Sequence, residues 1–276
     1  MLGLSYLNGR NILLFVLPCL LALTNGSILS YIQHVLSAHF KKVDLYQGHI
    51  SPNIATPSAL HSVHQYEVQV ISQDPLVLYV HNFLSREEIS HVLGHFETSK
   101  VYHGKNAHVD SDIRVSESAI LEQDEVTRQI RRRARQFRGW HGNKTVAIQP
   151  LKVQRYSVNG YYSVHYDWDG YVTEGNRVAT FMIYLVDSCT GGGTNFPRLR
   201  RPVDSRWCSI IECEDDEYPG LTFKPIAGSA VFWENMHSNG SFHRGVRHAS
   251  LPVKSGEKVG LNIWLWDHAW RPPLVE

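Results

Sequence analysis

His165-Tyr166-Asp167 closes a segment, residues 156–167, whose pattern is that of a strand. Residues two apart on a strand project from the same face, so His165 and Asp167 point together while Tyr166 points away. An imidazole and a carboxylate on adjacent inward positions supply two ligands to one divalent metal. A His from a distant strand would complete the two-His-one-carboxylate set of non-haem iron(II) sites, which leaves coordination positions open for reactants. The spacing alone is common. His108-Val109-Asp110 repeats it in a polar stretch without flanking strands.

Candidates for the third ligand lie near the C-terminus. His248 opens a strand pattern, and His243 is a rival in the same His- and Arg-rich run. Only His248 stands ten residues before Lys258, across the turn at Ser255-Gly256. In the last strand Lys258, Gly260, Asn262, Trp264 and Trp266 share one face, and Val259, Leu261, Ile263 and Leu265 form the other, a core face. Lys258 then sits either at a rim with its ammonium in water or inside a barrel, where the charge is costly unless an anion meets it. A carboxylate-bearing cosubstrate that also chelates the metal would account for both the ligands and the lysine.

The positioning elements follow from periodicity. Strand patterns cover residues 66–71 and 76–80, then 152–158, 161–168, 177–186, 221–225, 229–234, 247–253 and 257–266. Between the two groups lie two helices. Ser85 and Glu88 form a capping box ahead of Ile89, Val92, Leu93 and Phe96 on one face. Residues 124–137 carry Val126, Ile130, Ala134 and Phe137 at helical spacing, with Arg128, Arg131, Arg132, Arg133 and Arg135 on a face read as solvated. Helices first and then many strands without intervening helices predict an α+β, mainly β fold: a double-stranded β-helix, or jelly-roll, core packed by N-terminal helices.

This order and spacing resembles the catalytic domain of the prolyl 4-hydroxylase family of Fe(II)/2-oxoglutarate dioxygenases. The resemblance is carried by Tyr156 nine residues before His165-Tyr-Asp167, and by Arg177-Val-Ala-Thr-Phe-Met-Ile-Tyr-Leu. It continues through Gly191-Gly-Gly-Thr-Asn-Phe196-Pro197 and Gly228-Ser-Ala-Val-Phe-Trp233 to His248 with Lys258. It spans residues 66–267, and Arg114-Val-Ser-Glu-Ser-Ala resembles part of the family's helical support layer. The resemblance implies iron ligation by His165, Asp167 and His248, and pairing of Lys258 with the distal carboxylate of 2-oxoglutarate, aided by Tyr156 and Thr194. It places Arg177 near the substrate and Trp264 in the pocket wall, where a solvated strand-edge arginine and an ordinary core tryptophan are the plainer readings. It also implies O2 as co-reactant, ascorbate as a further requirement, and hydroxylation of an aliphatic C–H. The Asp167 carboxylate speaks against the halogenases of this fold, which lack it.

The resemblance implies a peptidyl proline as the acceptor, with a small-molecule tailoring hydroxylase of the same fold as the alternative; the loop 169–176 is short for a collagen-type enzyme and gives no support for a collagen substrate. A non-catalytic jelly-roll binding protein and a zinc hydrolase with the same ligands are the other classes that these residues allow.

Composition agrees with a folded enzyme. In 276 residues, 43% are hydrophobic and 11% aromatic, which excludes a disordered chain, and a net charge of +1 gives no general attraction to nucleic acid. One apolar run, residues 12–23, is interrupted by Pro18, preceded by Arg10 and followed by Thr24-Asn25-Gly26-Ser27. Its length fits a signal-peptide core, about 7–15 residues, better than a spanning helix of about 20. The expected layout is a signal peptide or short anchor over residues 1–26, a lead-in over 27–65 and the dioxygenase domain over 66–270, with its jelly roll at 146–267. That places the chain in the secretory lumen or outside the cell, or as a single-pass protein anchored through residues 12–23. Asn25-Gly-Ser, Asn143-Lys-Thr and Asn239-Gly-Ser match the glycosylation pattern. Beyond Cys19, an oxidising lumen would pair two of Cys189, Cys208 and Cys213 and leave one over.

Overall fold

Alternation decides the layers. The computed structural model describes residues 64–99, 102–103, 113–137, 146–214 and 217–273. The elements in chain order are β1 (Glu67–Gln73), β2 (Leu76–His81), α1 (Arg86–Thr98), β3 (Tyr102–His103), β4 (Arg114–Val115), β5 (Glu117–Ile120) and α2 (Glu125–Gln136). They continue with β6 (Val146–Ile148), β7 (Lys152–Tyr156), β8 (Tyr161–His165), β9 (Asn176–Tyr184), β10 (Thr190–Gly191), β11 (Thr194–Phe196) and β12 (Leu221–Phe223). The last are β13 (Ala230–Glu234), β14 (His248–Ser250), β15 (Val253–Ser255) and β16 (Lys258–Asp267).

A major sheet runs β1-β2-β13-β9-β16-β7-β5-β3, with β6 also on β16, and a minor sheet runs β12-β11-β14-β8-β4. The fold is a jelly roll with two supporting helices. Strand β9 shows why the two faces differ. Thr180, Met182 and Tyr184 point to the interior, where Met182 and Tyr184 join Tyr79, Phe196, Phe223, Val231 and Trp233 in one apolar cluster and Thr180 bonds Asp167. Phe181, on the opposite face, stacks with Phe83 at 5.0 Å and meets Phe137 and Phe232 at 5.0 and 4.7 Å. Both faces are covered, so eight of the nine residues of β9 are buried.

Two departures from the sequence reading have local causes. The strand expected over 247–253 divides into β14, in the minor sheet, and β15, in a separate ribbon with β10. Pro252 stands at the break and has no N–H for a ladder. Residues 114–119, read by resemblance as part of a helical layer, are extended in β4 and β5 and pair with β8 and β7.

The arginine face of α2 needs a larger correction. Arg128, Arg132 and Arg135 are exposed, but Arg131 donates to the carbonyls of Gln149 and Ile148 at 2.8 and 2.6 Å. Arg133 pairs with Glu88 at 2.7 Å and donates to the Phe83 carbonyl at 2.7 Å. Long side chains flanking a buried stripe reach inward, which periodicity cannot show. Glu88 also caps α1 through the Ser85 amide, so one carboxylate ties the start of α1 to the last turn of α2. Its side chain is 11% exposed and that of Arg133 is 14% exposed. Arg133→Leu is therefore expected to cost about 3 kcal/mol in urea unfolding, because it leaves a nearly buried carboxylate unpaired. Arg133→Leu/Glu88→Gln should recover part of that loss, because Gln removes the charge and keeps the cap.

Candidate active site

Register brings the two histidines together. His248 on β14 stands directly opposite His165 on β8 in an antiparallel pair. Their rings lie 4.3 Å apart between centroids. Each ring places Nδ1 on a backbone carbonyl two residues upstream: His165 on Ser163 at 2.8 Å, His248 on Val246 at 2.9 Å. A carbonyl only accepts, so both Nδ1 atoms carry the proton and both Nε2 lone pairs are free. Asp167 lies just past the end of β8, with its carboxylate oxygens 4.0 Å from His165 Nε2 and 3.9 Å from His248 Nε2. One ligand atom from each residue lies within 4.8 Å of the others.

The protonation states suit a metal. Burial first, and then His248, push His165 down to about 3, so its imidazole is neutral. Burial alone would raise Asp167, but His248, His165, Arg177 and the Thr180 hydroxyl outweigh it and hold the carboxyl ionised. A neutral imidazole at His165 beside an ionised carboxylate is what metal binding requires. A supporting chain fixes the carboxylate: Asn235 Nδ2 donates to Thr180 Oγ1 at 3.1 Å, and Thr180 donates to Asp167 Oδ2 at 2.8 Å. Tyr162 stacks on His165 with centroids 3.6 Å apart. His243, the rival ligand, sits elsewhere, 2.8 Å from Asp74.

Across the cavity, Lys258 is fully buried. Its ammonium donates to the hydroxyls of Ser250 at 2.9 Å and Thr194 at 3.5 Å. It lies 5.5 and 5.7 Å from the ring centroids of Tyr156 and Tyr184. Tyr156 is its cross-strand partner on β7. No carboxylate pairs with Lys258 among the described residues, and burial lowers its pKa to about 7. The glycine run passes close by. Gly191 and Gly192 have φ of +70° and +69°, and a Cβ at Gly192 would come within 3.4 Å of the lysine side chain. Glycine is needed there for conformation and for closeness.

A cavity of about 150 Å³ joins the two groups. At about 10–15 Å³ for each water-sized position, it holds on the order of ten non-hydrogen atoms, the size of 2-oxoglutarate. All eight candidates named from sequence line it: Tyr156, His165, Asp167, Arg177, Thr194, His248, Lys258 and Trp264. Arg177 is half-buried rather than solvated. It stacks 4.0 Å over Trp264, donates to Gln149 at 2.8 Å and reaches the Asp167 carbonyl at 3.3 Å. The Trp264 indole N–H is buried without a partner among the described residues. The sequence reading missed Arg114, Lys152, Gln154, Tyr162 and Ser250, which also line the cavity together with Asn262 of the Lys258 face. Alternation of β7 with Tyr156 would have pointed to Lys152 and Gln154. Arg114 carries no local signal.

The donor set fits an iron(II) ion, and the unpaired ammonium fits a dicarboxylate beside it. A family model for the 2OG-Fe(II) oxygenase superfamily matches residues 151–266. Probable prolyl 4-hydroxylase 10 of Arabidopsis thaliana is 30% identical over 220 residues, 74% of this chain and 73% of the relative. The chain belongs to the prolyl 4-hydroxylase family. Prolyl 4-hydroxylase 5 of the same plant is likewise 30% identical, over 74% of this chain and 72% of its own. Among solved structures, the 2OG complex of the viral collagen prolyl hydroxylase of Paramecium Bursaria Chlorella virus-1 matches with a TM-score of 0.52 and 25% identity. It covers 69% of this chain and 95% of the viral one. This prolyl 4-hydroxylase relative is thus a dioxygenase of the class that uses Fe(II), 2-oxoglutarate and O2.

An ammonium buried without an anion destabilises the free protein. Lys258→Met removes that burden and fills the same space. It is expected to raise the Tm of the ligand-free protein, by about 2–4 °C for each kcal/mol relieved, while abolishing the Tm increase caused by 2-oxoglutarate. Differential scanning calorimetry with and without the cosubstrate checks both signs.

Proposed function

We propose that this chain hydroxylates peptidyl proline in the secretory lumen, with iron(II) held by His165, Asp167 and His248. The observation that carries the reading is the convergence of the two free Nε2 atoms and an ionised carboxylate on one wall of a cavity whose other end holds the unpaired Lys258. Bound there, iron(II) with 2-oxoglutarate and O2 supplies the oxidising chemistry, in which the cosubstrate becomes succinate and CO2 while an acceptor C–H becomes C–OH.

The protein's own groups bind and orient. Lys258, with the Thr194 and Tyr156 hydroxyls, receives the distal carboxylate of the cosubstrate, and the rigid β7–β16 pair fixes its depth. Arg177 braces the Asp167 backbone and, stacked on Trp264, forms the wall that an acceptor meets. The Trp264 N–H offers a donor to whatever fills the cavity. A peptide acceptor is favoured because the relatives of full-domain coverage are named prolyl 4-hydroxylases. A requirement for ascorbate belongs to the same proposal.

The lumenal placement rests on three features. Residues 12–23, which lie outside the described residues, suit a signal peptide or short anchor. Cys208 and Cys213 form a disulfide, with Cys189 free, as an oxidising compartment favours. Asn239-Gly240-Ser241 lies in a turn in which Asn239 is exposed. The triplets at Asn25 and Asn143, and His108 to Asp110, also fall outside the described residues. No helix among the described residues is long and apolar enough to cross a membrane.

Succinate release measured on proline-rich peptides, free amino acids and small molecules tests the reading. Turnover is expected on peptides, and His165→Ala should lower both iron content and succinate release, the latter about 100-fold or more. Release only with small molecules would overturn the peptide assignment. No release at all from the iron-loaded chain would overturn the enzyme.

The pH dependence has a defined sign. In the free protein Lys258 loses its proton near pH 7, whereas a carboxylate in contact favours the ammonium. Below that pH the charged form is already present and the Kd for 2-oxoglutarate should be flat. Above it, binding must take up a proton, and Kd should weaken by up to about tenfold per pH unit. Calorimetric titrations in buffers of different ionisation heat read that proton uptake directly.

A further inference from the structure

We propose that His91, His95 and Asp124 form a second divalent-metal site, of zinc type, that clips helix α1 to the start of helix α2. It stands apart from the cavity and does not rest on the dioxygenase reading. His91 and His95 are four residues apart on α1 and share one face, with ring centroids 4.5 Å apart. Both Nε2 atoms converge on the same carboxylate oxygen, Asp124 Oδ2, at 2.5 and 3.1 Å.

Asp124 divides its two oxygens between two tasks. Oδ1 accepts from the Thr127 amide at 2.8 Å and its hydroxyl at 3.0 Å, as the N-cap of α2. Oδ2 is thereby aimed at the histidines, and Thr127 serves as the outer support that metal-bound carboxylates usually have. Among the described residues neither Nδ1 of the pair is hydrogen-bonded. In the structure the Nε2 atoms meet the carboxylate, so an ion would displace the Nε2 proton, and each half-exposed Nδ1, about one-third of its side chain open to water, can carry the proton instead.

The donor chemistry is that of zinc: two neutral imidazoles and one carboxylate, with a fourth position open to solvent. Tetrahedral ligands about 2.0–2.1 Å from zinc stand about 3.3 Å apart, so side-chain shifts of under about 1 Å seat the ion. The site would complement the Arg133–Glu88 pair. That pair joins the first turn of α1 to the end of α2, and the metal would join later turns of α1 to the start of α2.

Equilibrium titration of the metal-stripped full chain with Zn2+ alone, read by elemental analysis after dialysis, tests this. The wild type should hold two equivalents, and His91→Gln/His95→Gln one. Asp124→Asn keeps a capping oxygen, so the helix persists, yet it should weaken the second equivalent at least tenfold. A cooperative urea transition followed by circular dichroism verifies that each variant is folded. If the variants keep two equivalents, or if the wild type binds only one and His165→Ala removes it, the trio is a hydrogen-bonded clasp and the proposal is wrong. Co2+ provides an independent reading: a visible band of tetrahedral type should be present in His165→Ala and absent from His91→Gln/His95→Gln.

Discussion

The ammonium of Lys258 sits where water cannot reach it, held by two hydroxyls and two aromatic rings and by no acid. A buried charge of this kind is tolerated only in a scaffold rigid enough to prevent relaxation toward solvent. The rigidity comes from position. Lys258 opens the longest strand of the major sheet, which pairs with β7 on one side and β9 on the other. Outward-facing Val259, Leu261, Ile263 and Leu265 are all buried. The aliphatic face anchors the strand, and the alternating face is then free to carry Lys258, Asn262 and Trp264 into the cavity.

The opposite wall solves a different problem. Three ligands must converge without a metal to organise them, so the protein orients each through its backbone or a neighbour. Cross-strand pairing sets the spacing of the two imidazoles, carbonyls two residues upstream set their tautomers, and the Asn235–Thr180 chain sets the carboxylate. Trp233 extends that chain by donating its indole N–H to Asn235 at 3.0 Å. A motif residue of the core is in this way tied to the ligand three links away. The polar interior is hydrogen-bonded almost throughout, and Asn262 donating to Gln154 at 2.6 Å is a further case. Among the described residues the buried polar atoms without a partner are the Tyr79 hydroxyl, His81 Nε2 and the indole N–H groups of Trp168 and Trp264, and of these residues only Trp264 lines the cavity.

The helical layer shows the same economy of means on the outer face of the major sheet. Aromatic contacts among Phe83, Phe137, Phe181 and Phe232 supply the burial. The charged pair Arg133–Glu88 and the cluster of His91, His95 and Asp124 fix the angle at which the helices lie.

Much of this was legible from residue order. The period of two in β16 separated a core face from a chemical face. The spacing of His165, Asp167, His248 and Lys258, with Tyr156 ahead of them, selected the donor set, and the Ser85–Glu88 box marked where α1 begins. Those features are local, written in periods of two or 3.6 and in short fixed intervals. What only the tertiary structure decided are the contacts between distant segments. These include the inward turn of Arg131 and Arg133 and the arrival of Arg114 at the cavity wall. The pairing of Cys208 with Cys213 and the meeting of His91 and His95 with Asp124 belong with them. No periodicity encodes such meetings, because they depend on strand register and on how far a long side chain can reach once the sheets have closed.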